Sequence, residues 1–96
     1  MTYDLELDRR ALKEWHKLNA SIRQQFKKKL AEVLENPKVQ ATKLRGLPEC
    51  YKIKLRSSGY RLIYQLQDER IIVFVVAVGK RENEQAYDDA EARLNR

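Results

Sequence analysis

Lys52 and Lys54 stand two residues apart in a run where Tyr51, Ile53 and Leu55 alternate with them. On a β-strand, residues i and i+2 point to one face with their bases about 6 to 7 Å apart. Paired ammonium groups repel. If Arg61 and Arg81 converge on them, the shared positive field should lower the lysine pKa values, so that a neutral lysine can take a proton while the arginines hold a phosphodiester. Alternate lysines equally mark the solvated face of a half-exposed sheet, and spacing alone leaves both readings open.

Other chemistry-bearing residues lack partners in the sequence. His16 falls within a helical stretch with no acid pair or cysteine at ligand spacing, which is the setting of a helix-flank histidine. Cys50 borders the basic strand but has no nearby histidine to activate it, so a small buried hydrophobe is the expectation. Trp15 fits the core side of a first helix. Lys27, Lys28 and Lys29 form either a solvated helix face or a contact to a nucleic-acid backbone. One cysteine and one histidine cannot supply the three or four protein ligands of a zinc site, and there is neither a carboxylate triplet for Mg²⁺ nor a phosphate-cradling glycine loop. The expectation is a site with no metal and no cofactor. RNA cleavage is compatible with that, because the 2′-hydroxyl is a built-in nucleophile. The enzyme need supply only a base, cations for the phosphorane and an acid for the departing 5′ oxygen. Lysines, arginines and Tyr87, the one aromatic residue after Phe74, could fill these roles.

The 96 residues allow one domain, 1–96. Leu, Ile, Val and Phe make up 25 of them, above the level at which a chain cannot build a core. The longest apolar run, Ile71 to Val78, would reach only about 12 Å as a helix, against roughly 30 Å of bilayer core. Asp4, Glu6 and Asp8 occupy the N-terminus where a secretory signal would be basic. A cytoplasmic, membrane-free protein is expected. The net charge is +6, and it is unevenly spread: Lys43 to Arg61 holds six basic residues (Lys43, Arg45, Lys52, Lys54, Arg56, Arg61) against Glu49 alone, whereas 82–96 is acidic. A localised basic surface fits an anionic partner.

The elements that must position these groups follow from periodicity. Residues 2–7 alternate as a strand, and Asp8 caps a helix over about 9–18. After Asn19-Ala-Ser21, Ile22, Phe26, Leu30, Val33 and Leu34 define a second helix that ends at Asn36-Pro37. Residues 51–55 and 60–66 form a hairpin about Ser57-Ser58-Gly59, and 71–78, apolar on both faces, reads as a central strand. A last helix over about 82–94 has only Ala86, Ala90 and Leu94 in its stripe, so its docking should be weak. The expected fold is α+β: a small antiparallel sheet, an N-terminal helical hairpin packed on one face, and a weakly docked C-terminal helix.

At this point the residues resemble a known family. The run Lys43 to Tyr64 (KLRGLPECYKIKLRSSGYRLIY), the run Val73 to Arg81 (VFVVAVGKR) and Ala11 to Trp15 (ALKEW) resemble the RelE toxins of bacterial RelBE toxin-antitoxin modules, within the RelE/ParE superfamily. The resemblance implies a ribosome-dependent mRNA endonuclease that cuts the A-site codon, acting through contacts with the small-subunit rRNA. It also implies a RelB-like antitoxin in a hetero-oligomeric complex that binds DNA through the antitoxin. Carried over by position, Lys52 and Lys54 match the general-base and charge-stabilising lysines, and Arg61 the transition-state-stabilising arginine. Arg81 matches the arginine linked to leaving-group protonation or stabilisation, and Tyr87 the tyrosine that stacks on the substrate nucleotide. Lys27 to Lys29, Lys43, Arg45 and Arg56 are the candidate RNA and ribosome contacts. Asn83 departs from relatives that often carry a second arginine there. A ParE-like gyrase inhibitor, a non-catalytic user of the same fold, is the alternative, although that branch generally lacks this set of bases.

Overall fold

A computed structural model describes residues 2–80 and 85–94. The chain runs β1 (Asp4–Leu7), α1 (Arg9–Lys17), α2 (Ala20–Glu35), β2 (Cys50–Lys54), β3 (Tyr60–Gln67), β4 (Ile72–Lys80) and α3 (Gln85–Leu94), with short 3₁₀ turns at Gln40–Thr42 and Asp68–Arg70. Each helix of the hairpin begins where a short polar side chain can satisfy a free amide. The Asp8 carboxylate accepts from the Arg10 backbone N–H at 2.8 Å, and the Asn19 side-chain oxygen accepts from the Ile22 N–H at 2.9 Å.

The four strands form one sheet in the order β1-β4-β3-β2. β2–β3 and β3–β4 are antiparallel, as expected for two successive hairpins. The edge pair β1–β4 is parallel, which departs from an all-antiparallel sheet. The cause is the helical hairpin: α1 and α2 carry the chain away from β1, so β1 and β4 meet pointing the same way. Ile71, expected as the first residue of the central strand, lies just before it in the left-handed region, φ 57°, and its carbonyl accepts from the Asp4 N–H at 2.9 Å.

The pleat divides the core in two. Tyr51, Ile53 and Leu55, Leu62, Tyr64 and Leu66, and Val73, Val75 and Val78 are buried against Ala11, Ile22, Phe26, Leu30 and Val33 of the hairpin. Trp15 packs beside Phe26, ring centroids 6.2 Å apart. On the opposite face Cys50, Ile63, Val76 and Ala77 pack with Ala86 and Ala90 of α3. The helices therefore cover both faces of the sheet. A register irregularity opposite Ile63 and Tyr64 leaves Val76 unpaired and turns both Val76 and Ala77 to the α3 face. Tyr51 and Tyr64 stack across β2 and β3 at 5.4 Å, and the Tyr64 hydroxyl donates to the Pro37 carbonyl at 2.9 Å. No helix among the described residues is long and apolar enough to cross a membrane.

Asp8 joins the N-cap to an ion pair with Arg10 at 3.2 Å. Its burial opposes the charge, but hydrogen bonds from the Arg10 side chain and backbone outweigh that and hold its pKa below the ordinary carboxylate value. A depressed folded-state pKa adds stability above the unfolded value, and that stability is lost as pH falls through the folded one. Asp8→Ala should therefore lower unfolding free energy by about 1 kcal/mol at pH 7. In urea titrations, the gap to the parent should shrink as pH is taken below the usual carboxylate range. A gap that grows on acidification would contradict the cap.

Candidate active site

Because the buried face of β2 is fixed by Tyr51, Ile53 and Leu55, Lys52 and Lys54 must emerge on the side where α3 lies. β3 brings Arg61 directly opposite Lys54, and Gly79 of β4 lies directly opposite Arg61 on the other side. Like charges face each other across β2 and β3, an arrangement unfavourable in a sheet unless something anionic is shared. Gly79 leaves room for α3: a Cβ built there would lie 3.8 Å from the Ala86 Cβ, so a longer side chain would lift the helix.

Tyr87 follows Ala86 and lands on Arg61. The Arg61 guanidinium Nη1 donates to the Tyr87 hydroxyl at 2.6 Å, and its Cζ lies 5.3 Å from the ring centroid. The Arg61 Nε is buried and has no hydrogen-bond partner among the described residues. A guanidinium carries five N–H donors and the Tyr87 contact uses one, so the group retains donors for an acceptor that arrives with a ligand.

A cleft of about 520 Å³ opens beside this group, lined by Lys43, Arg45, Lys52 and Tyr87, with Glu91 at its rim. Lys52 also borders a second, neighbouring hollow with Lys54, Arg56 and Lys29. Lys43, Arg45 and Lys52 thus gather with Tyr87 on the α3 side, while the second hollow opens at the β2 edge toward the hairpin, where Lys29 of α2 lines it with Ile53 and Tyr64. Lys27 instead lines an apolar groove between β1, α1 and α2, and Lys28 is exposed. Arg81 and Asn83 lie outside the described residues. No group of three His, Cys, Asp or Glu side chains suited to a metal ion occurs among the described residues. Such a set can bind a phosphodiester, orient its cations through Tyr87, and move protons through lysine.

Periodicity did not reveal two further residues of this region, Glu14 and Arg93. Their carboxylate and guanidinium meet at 2.9 and 3.1 Å from positions 79 residues apart. Neither has a local pattern to mark it.

A family model for the ParE toxin of the type II toxin-antitoxin system, parDE, matches residues 5–85. The chain is 61% identical over 94 residues to the mRNA interferase toxin RelE of Escherichia coli strain K12, covering 98% of this chain and 99% of that protein. A double arginine variant of E. coli toxin RelE in the free state superposes with a TM-score of 0.91 at 60% identity, over 98% of this chain and 99% of that one. The toxin chain of the intact E. coli RelBE toxin-antitoxin complex gives a TM-score of 0.82 at 64% identity, over 84% of this chain and 99% of that one.

Cys50 is fully buried, and burial, with Glu49 nearby, pushes its thiol up to about 11. A disulfide reagent at pH 7.5 should then modify the native protein roughly 10²-fold more slowly than the urea-unfolded chain. Equal rates would restore Cys50 as a candidate nucleophile.

Proposed function

This chain belongs to the RelE toxins of the ParE toxin family, and on that premise we propose that it is an mRNA interferase, a toxin of a type II toxin-antitoxin system that cuts A-site codons on the ribosome. The observation that carries the reading is the Arg61–Tyr87 contact at 2.6 Å above the face that bears Lys52 and Lys54. It gathers a cation, an aromatic ring and two candidate proton-transfer groups where RNA can reach them.

The chemistry follows from what each group can do. A lysine, Lys52 or Lys54, takes the proton from the 2′-hydroxyl, and the 2′ oxygen attacks the adjacent phosphorus. The other lysine and Arg61 stabilise the negative charge that accumulates on the phosphorane oxygens. The bond to the 5′ oxygen breaks, and that oxygen gains a proton from a group assisted by Arg81, leaving a 2′,3′-cyclic phosphate. Tyr87 stacks on the substrate base and orients Arg61. Cations of the protein supply the charge compensation, so the toxin itself carries no metal in this scheme.

Around this centre Lys43, Arg45 and Arg56 offer contacts to the rRNA backbone, and Lys27, Lys28 and Lys29 on α2 extend that footprint to the hairpin side of the sheet. The partnership of E. coli RelE with its antitoxin supports a RelB-like partner here, in a hetero-oligomer that binds DNA through the antitoxin. Ribosomes and messages place the working protein in the cytoplasm, as one domain over 1–96. The identity to an mRNA interferase over nearly the whole chain favours this over gyrase inhibition.

Ribosomes programmed with a defined A-site codon test the reading. EDTA-treated toxin should cut within that codon. Arg61→Ala and Arg81→Ala should each slow single-turnover cutting by roughly 10²-fold or more while ribosome affinity falls much less. An intact message at saturating toxin would favour a non-catalytic binder, and parental rates in both variants would remove the arginines from the chemistry.

A further inference from the structure

β1 pairs with β4 only from Ile72 to Val75, yet β4 continues to Lys80. Among the described residues no strand lies beside its outer edge beyond Val75, and the backbone groups there must find other partners. Two side chains provide them. Arg93 Nη1 donates to the Val76 carbonyl at 2.7 Å, and the Glu14 carboxylate accepts from the Val78 N–H at 3.1 Å. The same two side chains join each other in a fork, Nη1 to Oε1 at 2.9 Å and Nη2 to Oε2 at 3.1 Å. The Arg93 side chain is 9% exposed and that of Glu14 25%. One closed network thus ties α1, the open edge of β4 and the last turn of α3.

On α3 the positions Ala86, Ala90 and Arg93 are spaced i, i+4 and i+7, one face of the helix. The third place of that docking face, where an apolar residue would ordinarily add area, holds a guanidinium. Ala86 and Ala90 are buried there, with Tyr87 and Leu94 packed against the same cluster only partly buried, so the apolar contact is small and can slide. A bidentate pair that also satisfies two strand-edge groups has one geometry. Ten residues are too few for a helix to hold itself without tertiary contacts. The placement of Tyr87, about 9 Å nearer the start of α3, then depends on what fixes the end of the helix.

We propose that Arg93, paired with Glu14, is a positioning residue of the cleavage site: it locks α3 to the open edge of β4 and so holds Tyr87 against Arg61. The proposal rests on the reading of Lys52, Lys54, Arg61 and Tyr87 as that site. Arg93 touches no substrate, since it lies on the sheet edge away from β2. Its loss leaves the Lys43 and Arg45 surface intact, so the effect belongs in the cutting step and not in ribosome binding.

A cycle of Arg93→Ala and Tyr87→Ala, singly and together, decides it by single-turnover cutting at saturating toxin. Arg93→Ala alone should slow cutting roughly 10-fold to 10²-fold, as expected when a reacting group shifts by about 1 Å, with little change in the toxin concentration needed for half-saturation. Added to Tyr87→Ala, it should cost less than about a further twofold, because the group it positions is already gone. An equal loss in both backgrounds, or no loss in either, overturns the proposal. A second readout needs no activity. In toxin labelled at tyrosine ¹³Cζ, Arg93→Ala should move the Tyr87 signal toward its solvent-exposed value while those of Tyr51 and Tyr64 stay put, and an unmoved Tyr87 signal overturns it as well. If the parent protein fails to cut message, the site reading fails while the tyrosine signals still report on α3. Should Arg93→Ala not fold, Arg93→Lys carries the same comparisons, since one ammonium cannot serve the Glu14 fork and the Val76 carbonyl together.

Discussion

Tyr51, Ile53 and Leu55 are buried against the helical hairpin, and the pleat of β2 then leaves Lys52 and Lys54 only the opposite face to occupy. A slip of one residue would drive two ammonium groups into the core at a cost of several kcal/mol each, so the register tolerates no alternative. The Tyr51–Tyr64 stack, with Tyr64 tied to the Pro37 carbonyl, fixes the same register across the hairpin. Through that pairing Arg61 comes to face Lys54. The concentration of positive charge is thus a by-product of packing: the residues that hold the fold together leave the cations no way to disperse.

A cluster of like charges needs something to orient it, and α3 supplies this from the other side. Gly79 admits the helix, Ala86 and Ala90 seat it, and Tyr87 receives the Arg61 hydrogen bond. The apolar seat of the helix is small, Ala86 and Ala90 with Tyr87 and Leu94 partly buried, and Arg93 and Glu14 add a polar clamp at its end, on the open edge of β4. The parallel pairing of β1 stops at Val75, and the ion pair begins where that pairing stops.

Much of this was legible in the residues. The alternation of 51–55 and 60–66 carries the hairpin and the common face of Lys52 and Lys54, because burial on one side leaves a period of two in the sequence. The cap at Asp8, the break at Asn36-Pro37 and the inert burial of Cys50 are equally local. The rest involves distant partners. Nothing in residues 2–7 says that they will lie parallel to β4, or in 82–94 that the last helix will take the face opposite the hairpin. Glu14 and Arg93 read as ordinary charges on helix flanks until the edge of β4 brings them together. The irregularity at Val76, which turns two successive residues to one face, is invisible in a stretch that is apolar throughout.

The central claim is that this basic face cleaves RNA by using the substrate's own 2′-hydroxyl. Its most direct test is a message carrying one 2′-deoxynucleotide immediately 5′ of the scissile phosphate, placed in the A site of a programmed ribosome and compared with its all-ribose counterpart. The account predicts a 2′,3′-cyclic phosphate on the 5′ fragment of the ribose message and no cutting at that phosphate in the deoxy message. Cutting of the deoxy message at an undiminished rate would contradict it, because the nucleophile would then have to come from elsewhere.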